Sequence, residues 1–231
     1  MFRFKQFTIC QDRTPMKVGT DGVLLGAWAN LEEAATILDI GTGTGLIALM
    51  AAQRNPTAEI DALEIEAAAC EQARENIASS PWPQRVRVYL QALQNYHPDK
   101  LYDSIVCNPP FFVDSTPAPD QGRSLARHTH SLTHPELIEH VQRLLSPGGN
   151  FCVILPVIEA QQFVSYAEQF YLFPYRITYI LPTPDKAPKR WLMEFRRNLS
   201  ETKENELIIE LSRHRYSPDY IDLTRAFYLY F

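Results

Sequence analysis

No uninterrupted apolar run in the 231 residues approaches the roughly 20 needed to cross a bilayer. The opening Met1-Phe2-Arg3-Phe4-Lys5-Gln6 also lacks the apolar core of a secretory signal. A soluble, cytoplasmic protein with no membrane partner is expected. The four cysteines stand at 10, 70, 107 and 152 without a C-x-x-C pair, so they read as reduced core thiols, and no metal is expected on them. Only 9 residues are glycine, no repeat or charge-block tail occurs, and collagen, disorder and low-complexity fibres are excluded. No Gly-Lys-Ser/Thr is present, which removes the P-loop. What remains is 45 % hydrophobic and 21 % charged. Those proportions suit one globular domain, residues 1–231, whose core is large enough to do without disulfides.

Lys and Arg number 22 against 27 Asp and Glu, a net charge of -5, which argues against a protein that coats nucleic acid by bulk charge. The local distribution differs from the sum. Residues 1–20, an N-terminal arm, hold Arg3, Lys5, Arg13 and Lys17 against Asp12 alone, and residues 186–197 hold Lys186, Lys189, Arg190, Arg196 and Arg197 against Glu194 alone.

Beyond the arm the pattern alternates. Thr36 to Ile40 is a short apolar run closed by glycines, and Leu46 to Arg54 is helix-like and stops at Asn55-Pro56. Glu59 to Ile65, Arg85 to Leu90, Leu101 to Cys107 and Asn150 to Leu155 read as strands, with helices at Glu66 to Ser79, Pro135 to Leu145 and Glu159 to Phe170. Ser146-Pro147-Gly148-Gly149 reads as the closing turn of the second-last helix. Arg176 to Leu181, Arg190 to Arg197 and Glu206 to Leu211 predict further strands and an antiparallel closing hairpin. This alternation predicts an α/β fold with a doubly wound, mostly parallel, Rossmann-like sheet. Tyr166, Phe170, Tyr171, Phe173 and Tyr175 read as core.

Three glycines crowd into Asp39-Ile40-Gly41-Thr42-Gly43-Thr44-Gly45 between the first of these strands and its helix. Such a turn lets backbone approach a ligand and presents helix N-terminal N–H groups. The spacing is G-x-G-x-G, so the dinucleotide fingerprint fails. Glu64, at the end of the next strand, is placed to accept both hydroxyls of a ribose, and Asp39 to meet a cationic amine. The ligand suggested is a nucleoside with a positively charged tail. Asp-Ile-Gly-Thr-Gly-Thr-Gly followed by Leu-Glu-Ile-Glu resembles the cofactor site of class I S-adenosylmethionine-dependent methyltransferases. That resemblance implies a seven-stranded sheet with a reversed C-terminal strand and S-adenosyl-L-methionine lying over Gly41, Gly43 and Gly45. It further implies Glu64 on the ribose, Ile65 beside it, and an adenine contact from the Gln91 side chain or the Ala92 backbone.

The strand ending at Cys107 runs into Asn108-Pro109-Pro110-Phe111-Phe112. Prolines after a strand fix the backbone and remove donors, leaving carbonyls as acceptors. An amide oxygen on Asn108 beside the Pro109 carbonyl suits an –NH2 group whose lone pair is delocalised. Accepting both N–H bonds favours a pyramidal nitrogen able to attack a sulfonium methyl, and positioning carries most of the rate. Phe111 offers a face for a planar base. The motif resembles the amino-group methyltransferase signature, shared by adenine-N6, guanine-N2 ribosomal and protein-glutamine N5 enzymes. The last of these carry Tyr at the fourth position and a long helical domain before the glycine turn, whereas 40 residues precede Gly41 here. A non-catalytic RNA-binding module is the alternative of another class, and the intact motif argues against it.

The arm, Phe4-Lys5-Gln6-Phe7-Thr8-Ile9 and then Pro15-Met16-Lys17-Val18-Gly19-Thr20-Asp21-Gly22-Val23-Leu24-Leu25-Gly26-Ala27-Trp28, is similar to the start of bacterial tRNA (adenine-N6)-methyltransferases that modify adenine 37 of a valine tRNA. The likeness continues through Ala126-Arg127-His128 and near Phe227-Tyr228-Leu229. It implies a tRNA substrate, with Lys17 and Thr20 near the cofactor's carboxylate end. Arg3, Lys5, Arg13, Arg123, Arg127, Lys186, Lys189 and Arg190 are the candidate RNA contacts, against the plainer reading of incidental charge and a solvated hairpin tip. A monomer is the favoured state. Among the histidines, His130 and His134 have helical spacing, but Pro135 breaks it and nothing completes a metal set.

Overall fold

The computed structural model describes residues 1–14, 16–109 and 132–231. Among them the chain order begins with a hairpin of β1 (Phe2–Arg3) and β2 (Thr8–Ile9), followed by α1 (Thr20–Trp28), β3 (Thr36–Ile40), α2 (Leu46–Arg54), β4 (Glu59–Glu64), α3 (Ala67–Ala78) and β5 (Val86–Leu90). A 3-10 turn (Leu93–Asn95), β6 (Tyr102–Cys107), α4 (His134–Leu144), β7 (Leu145–Pro156), α5 (Val157–Gln169), β8 (Phe173–Leu181) and β9 (Arg190–Arg196) come next. The chain closes with β10 (Lys203–Ile208), β11 (Glu210–Ser212), β12 (Arg215–Tyr216) and α6 (Pro218–Thr224).

Eight strands form one sheet in the order β5-β4-β3-β6-β7-β9-β8-β10. All neighbours are parallel except β9, which is antiparallel to both β7 and β8. The doubly wound α/β sheet is as expected. Seven strands were expected, and an eighth, β10, extends the edge parallel to β8. The reversed strand lies inside the sheet, because β8 and β9 form a hairpin whose second strand inserts beside β7.

The central strands β3, β4, β6 and the later part of β7 are almost wholly buried because helices cover both faces. Alternate side chains feed two cores: Ile37, Ile60, Val106 and Ile154 pack with α1 and α2, and Leu38, Leu63, Ile105 and Val153 pack with α4 and α5. The arm joins the first core through buried Phe4, Phe7 and Ile9. Asn76 on α3 pins it, its Oδ1 accepting from the Cys10 N–H at 2.8 Å while its Nδ2 donates to the Cys10 and Thr44 carbonyls. α4 begins with a capping box, Thr133 N–H donating to Glu136 at 2.8 Å.

Two expectations change. β7 starts at Leu145, directly behind α4, so 146–149 is strand and not a closing turn; buried Leu145 pairs with Tyr102, and a bulge absorbs the Pro-Gly-Gly stretch. Of the aromatics expected in the core, Tyr166 and Tyr171 are exposed, Tyr171 because it turns the chain after α5 with φ 57°. α6 was missed, although Ser217 caps it onto the Tyr220 N–H at 3.1 Å with Pro218 behind it. No helix among the described residues is long and apolar enough to cross a membrane.

α1 lies close on α2 because Gly26 has no side chain: a Cβ there would stand 2.6 Å from Met50 Sδ and 3.2 Å from Met50 Cβ. Met50 is fully buried, so a Cβ at Gly26 would force its side chain to shift within the core. Gly26→Ala is expected to cost about 1–3 kcal/mol by overpacking, seen as a lower urea midpoint at unchanged slope.

Candidate active site

Strand register assembles the site. Glu64 pairs with Leu90, Leu63 with Ile40, and Ile40 with Cys107. Gly41, Glu64, Gln91 and Asn108, far apart in the chain, therefore leave the sheet at one level. β3 is where the winding reverses, with β4 and β5 on one side and β6 on the other, which opens a crevice at the strands' carboxyl ends.

Gly41, Gly43 and Gly45 have φ of 70°, 57° and 82°, the left-handed region that side chains resist. A Cβ on Gly41 or Gly43 would meet no heavy atom within 4 Å, so these two border open space. Two carboxylates hold the turn. Asp39 Oδ2 accepts from Thr42 Oγ1 at 2.6 Å and from the Ala48 N–H at 3.1 Å. Glu64 Oε2 accepts from the Gly43 N–H at 2.9 Å, and its Oε1 accepts from the Ile65 and Glu66 N–H groups at 2.8 and 2.9 Å. The Leu63 carbonyl accepts from the Gly41 and Thr42 N–H groups.

Asp39 is fully buried, and that burial pushes its carboxyl up to about 7; the bonds from Thr42 and Ala48 act the other way, and the nearby Glu64 charge adds to the rise. The expected direct meeting of Asp39 with a ligand's amine is narrowed: one oxygen is committed to the turn. The other, Oδ1, is buried without a hydrogen-bond partner. Asn108 Oδ1 is buried and unpartnered in the same way, next to buried Pro109. Two orphan acceptors beside bare glycine backbone fit a ligand that brings donors and positive charge.

The remaining candidates divide. Ile65 is 52 % exposed and Leu90 50 %, an apolar lip on the crevice. The Gln91 N–H donates to the Glu64 carbonyl and its side-chain amide to Asn95 O at 2.7 Å, while Ala92 caps the 3-10 turn. Lys17 Nζ donates to the Gln11 and Thr14 carbonyls of its own arm, and Thr20 is exposed at the start of α1. Lys5 Nζ donates to the Arg225 and Phe231 carbonyls, and Arg13 pairs with Glu75. Arg3, Lys186 and Lys189 are exposed, Lys186 with Asp185 at 3.6 Å. Arg190 is bound to Asp21 at 2.9 Å. Pro110, Phe111, Arg123 and Arg127 lie outside the described residues. Thr42 was missed, although a hydroxyl inside a glycine turn after a buried acid signals a local tie. The place of Gly22 was missed as well: a Cβ on it would lie 3.7 Å from Asn108 Nδ2.

Residues 18–169 match the family model of the methyltransferase small domain. Proteins of Parabacteroides distasonis and Bacteroides fragilis, 48 % and 49 % identical over 231 residues, 99 % of this chain and 97 % of theirs, are named tRNA1(Val) (adenine(37)-N6)-methyltransferase. One from Trichodesmium erythraeum with the same name is 47 % identical over 232 residues, 99 % of this chain and 97 % of its own. Among solved structures, a predicted O-methyltransferase of Agrobacterium tumefaciens shares the fold at TM-score 0.69 and 20 % identity, covering 90 % of this chain and 96 % of that one. A ribosomal protein L11 methylase of Lactobacillus delbrueckii does so at TM-score 0.56 and 16 % identity, covering 77 % and 78 %.

The Asp39 carboxyl has a checkable pH signature. Its value of about 7 in the folded state lies above the ordinary 3.8, so the folded chain binds the proton more tightly than the unfolded one. Its stabilising contribution is complete below the ordinary value and is lost as pH rises through about 7. Asp39→Asn removes this dependence, so ligand-free unfolding is expected to show the variant faring better relative to the parent at pH 8 than at pH 5.

Proposed function

The chain belongs to the methyltransferase small domain family and, within it, to the tRNA1(Val) (adenine(37)-N6)-methyltransferases, and from that premise we propose how its residues methylate the exocyclic N6 amine of adenine 37 in a valine tRNA. The cofactor is S-adenosyl-L-methionine. When bound, it supplies a methyl group activated by a sulfonium, which departs as a neutral thioether. Gly41 and Gly43 would give it close backbone, with Gly45, packed against Ala73 and Ile77, turning the chain into α2; Glu64 would take the ribose hydroxyls with the acceptor capacity its three N–H bonds leave, and Asp39 Oδ1 would balance the positive tail. Ile65 would line the cofactor crevice next to Glu64, and the Ala92 backbone is favoured over Gln91 for the adenine amino group, since the Gln91 amide already donates to Asn95 O.

One observation carries the catalytic reading: Asn108 Oδ1 is an unpartnered acceptor beside the Pro109 carbonyl, level with the glycine turn. Together they accept both N–H bonds of the amine, which concentrates the nitrogen lone pair and aims it. No strong base is needed, because the proton leaves to water after transfer. Pro110 stiffens the acceptor loop and Phe111 stacks the base, which must first be unstacked from the tRNA. The whole chain acts as one domain in the cytoplasm, with residues 1–20 as an arm that props the turn through Asn76. Arg3, Lys186 and Lys189 remain the candidate phosphate contacts, joined by Arg123 and Arg127, while Lys5 and Arg13 bind the arm to α3 and the C-terminus.

Incubation with labelled S-adenosylmethionine and unmodified tRNA is expected to yield N6-methyladenosine by nucleoside mass spectrometry. Label in N2-methylguanosine or in protein would move the substrate while keeping the cofactor. Asn108→Ala is expected to lower kcat by about 10²- to 10³-fold, with S-adenosylmethionine affinity held within a few fold. Joint loss of both would make Asn108 a structural residue. Lys186→Glu with Lys189→Glu should weaken tRNA binding and flatten its salt dependence by about one slope unit per lost contact, measured by filter binding at several salt concentrations.

A further inference from the structure

β9 runs against its neighbours, so its first residue, Arg190, pairs with Pro156 at the carboxyl end of β7, and β7 alone separates it from β6 and Asn108. There its Nε donates to Asp21 Oδ2 at 2.9 Å, with the two side chains 30 % and 24 % exposed. Asp21 lies in the first turn of α1, which has no side-chain cap, since Gly19 stands at that position. A carboxylate there is favoured by the helix N-terminus, and the guanidinium ties the turn to β9. The next residue is Gly22, where a Cβ would lie 3.7 Å from Asn108 Nδ2 and 3.1 Å from Leu46 Cδ2. The turn that Arg190 ties down thus passes beside the Asn108 amide, with room between them for no more than a methyl group.

We propose that the Arg190–Asp21 pair is a positioning device: it clamps the first turn of α1 onto β9, and that turn sets where the Asn108 amide stands. This rests on Asn108 being the acceptor of the target amine. Arg190 then serves the reaction from the base of the 182–189 loop without being one of its phosphate contacts. The loop itself is ordered, with the Lys186 N–H donating to Thr183 O at 3.1 Å and the Lys189 N–H to Ile180 O at 2.8 Å. Lys186 and Lys189 meet solvent from the loop while Arg190, at its end, faces inward to Asp21.

The test is a double-mutant cycle on the full chain with Arg190→Ala, Asp21→Ala, their combination, and Arg190→Lys as the conservative variant. Each is read for kcat, KM for tRNA and S-adenosylmethionine affinity. Each alanine change is expected to lower kcat about tenfold, with KM for tRNA within about twofold, the combination no worse than either alone, and Arg190→Lys recovering most of the rate. A raised KM with unchanged kcat would make Arg190 a phosphate contact, and additive losses would show that the two residues act separately; either result overturns the proposal. Hydrogen exchange separates this outcome from a wrong substrate. If the parent forms no N6-methyladenosine, the substrate reading fails, and the clamp stands or falls on whether Arg190→Ala speeds exchange at the amides of residues 23–25. Exchange unchanged there would overturn it.

Discussion

The glycine turn after β3 depends on two carboxylates that approach it from different strands. Asp39 reaches forward from β3 to Thr42 and to the first turn of α2, and Glu64 reaches across from β4 to the Gly43 amide. The hydrogen bonds to Glu64, of the charged-acceptor kind, are each worth about 1.5–3 kcal/mol, and those to the buried Asp39 add to them in holding the turn against the unfolded chain. The position of α2, the open space above Gly41 and Gly43, and the direction in which Glu64 offers its remaining acceptor capacity all follow from that grip. The arm then reinforces the turn, because the Asn76 amide ties Cys10 and Thr44 to one side chain.

The crevice is unbalanced in a way that suits its ligands. Asp39 Oδ1 and Asn108 Oδ1 are buried acceptors with no donor, and each such group costs about 1–3 kcal/mol in the ligand-free protein. Under the proposed function, a cationic cofactor and an exocyclic amine would bring the missing donors and charge. Acceptors that the protein itself leaves without donors favour a ligand that carries them, and a raised Asp39 value is the electrostatic face of the same arrangement. Basic residues show a parallel economy. Lys5, Arg13, Lys17 and Arg190 all have partners within the protein, so the surface left for an RNA backbone is smaller than a count of cations suggests.

Much was legible in the chain itself. Asp39-Ile-Gly-Thr-Gly-Thr-Gly and Asn108-Pro-Pro-Phe announce a nucleoside turn and an acceptor pair because such chemistry needs particular residue types at adjacent positions. The alternation of apolar runs with helical spacing located the core strands to within a few residues. Less local features escaped. Nothing around 146–149 distinguishes a helix stop from a bulged strand start, since proline and glycine serve both, and only the pairing of Leu145 with Tyr102 decides it. The place of β9 inside the sheet depends on its pairing with both β7 and β8, and the extra edge on β10 pairing with β8, contacts between strands that no local pattern names.

The sequence by itself determined the class of fold, the cofactor turn and the chemistry of the acceptors, because each rests on neighbouring residues and on periodicities that a short stretch carries whole. Tertiary structure alone decided that Asp39 uses one oxygen on the turn and keeps the other, that Lys5, Arg13 and Lys17 hold the arm, that Asp21 meets Arg190, and that Gly22 passes beside Asn108. Those outcomes depend on distances between residues far apart in the chain, set by sheet register and helix packing, and a linear pattern does not encode them.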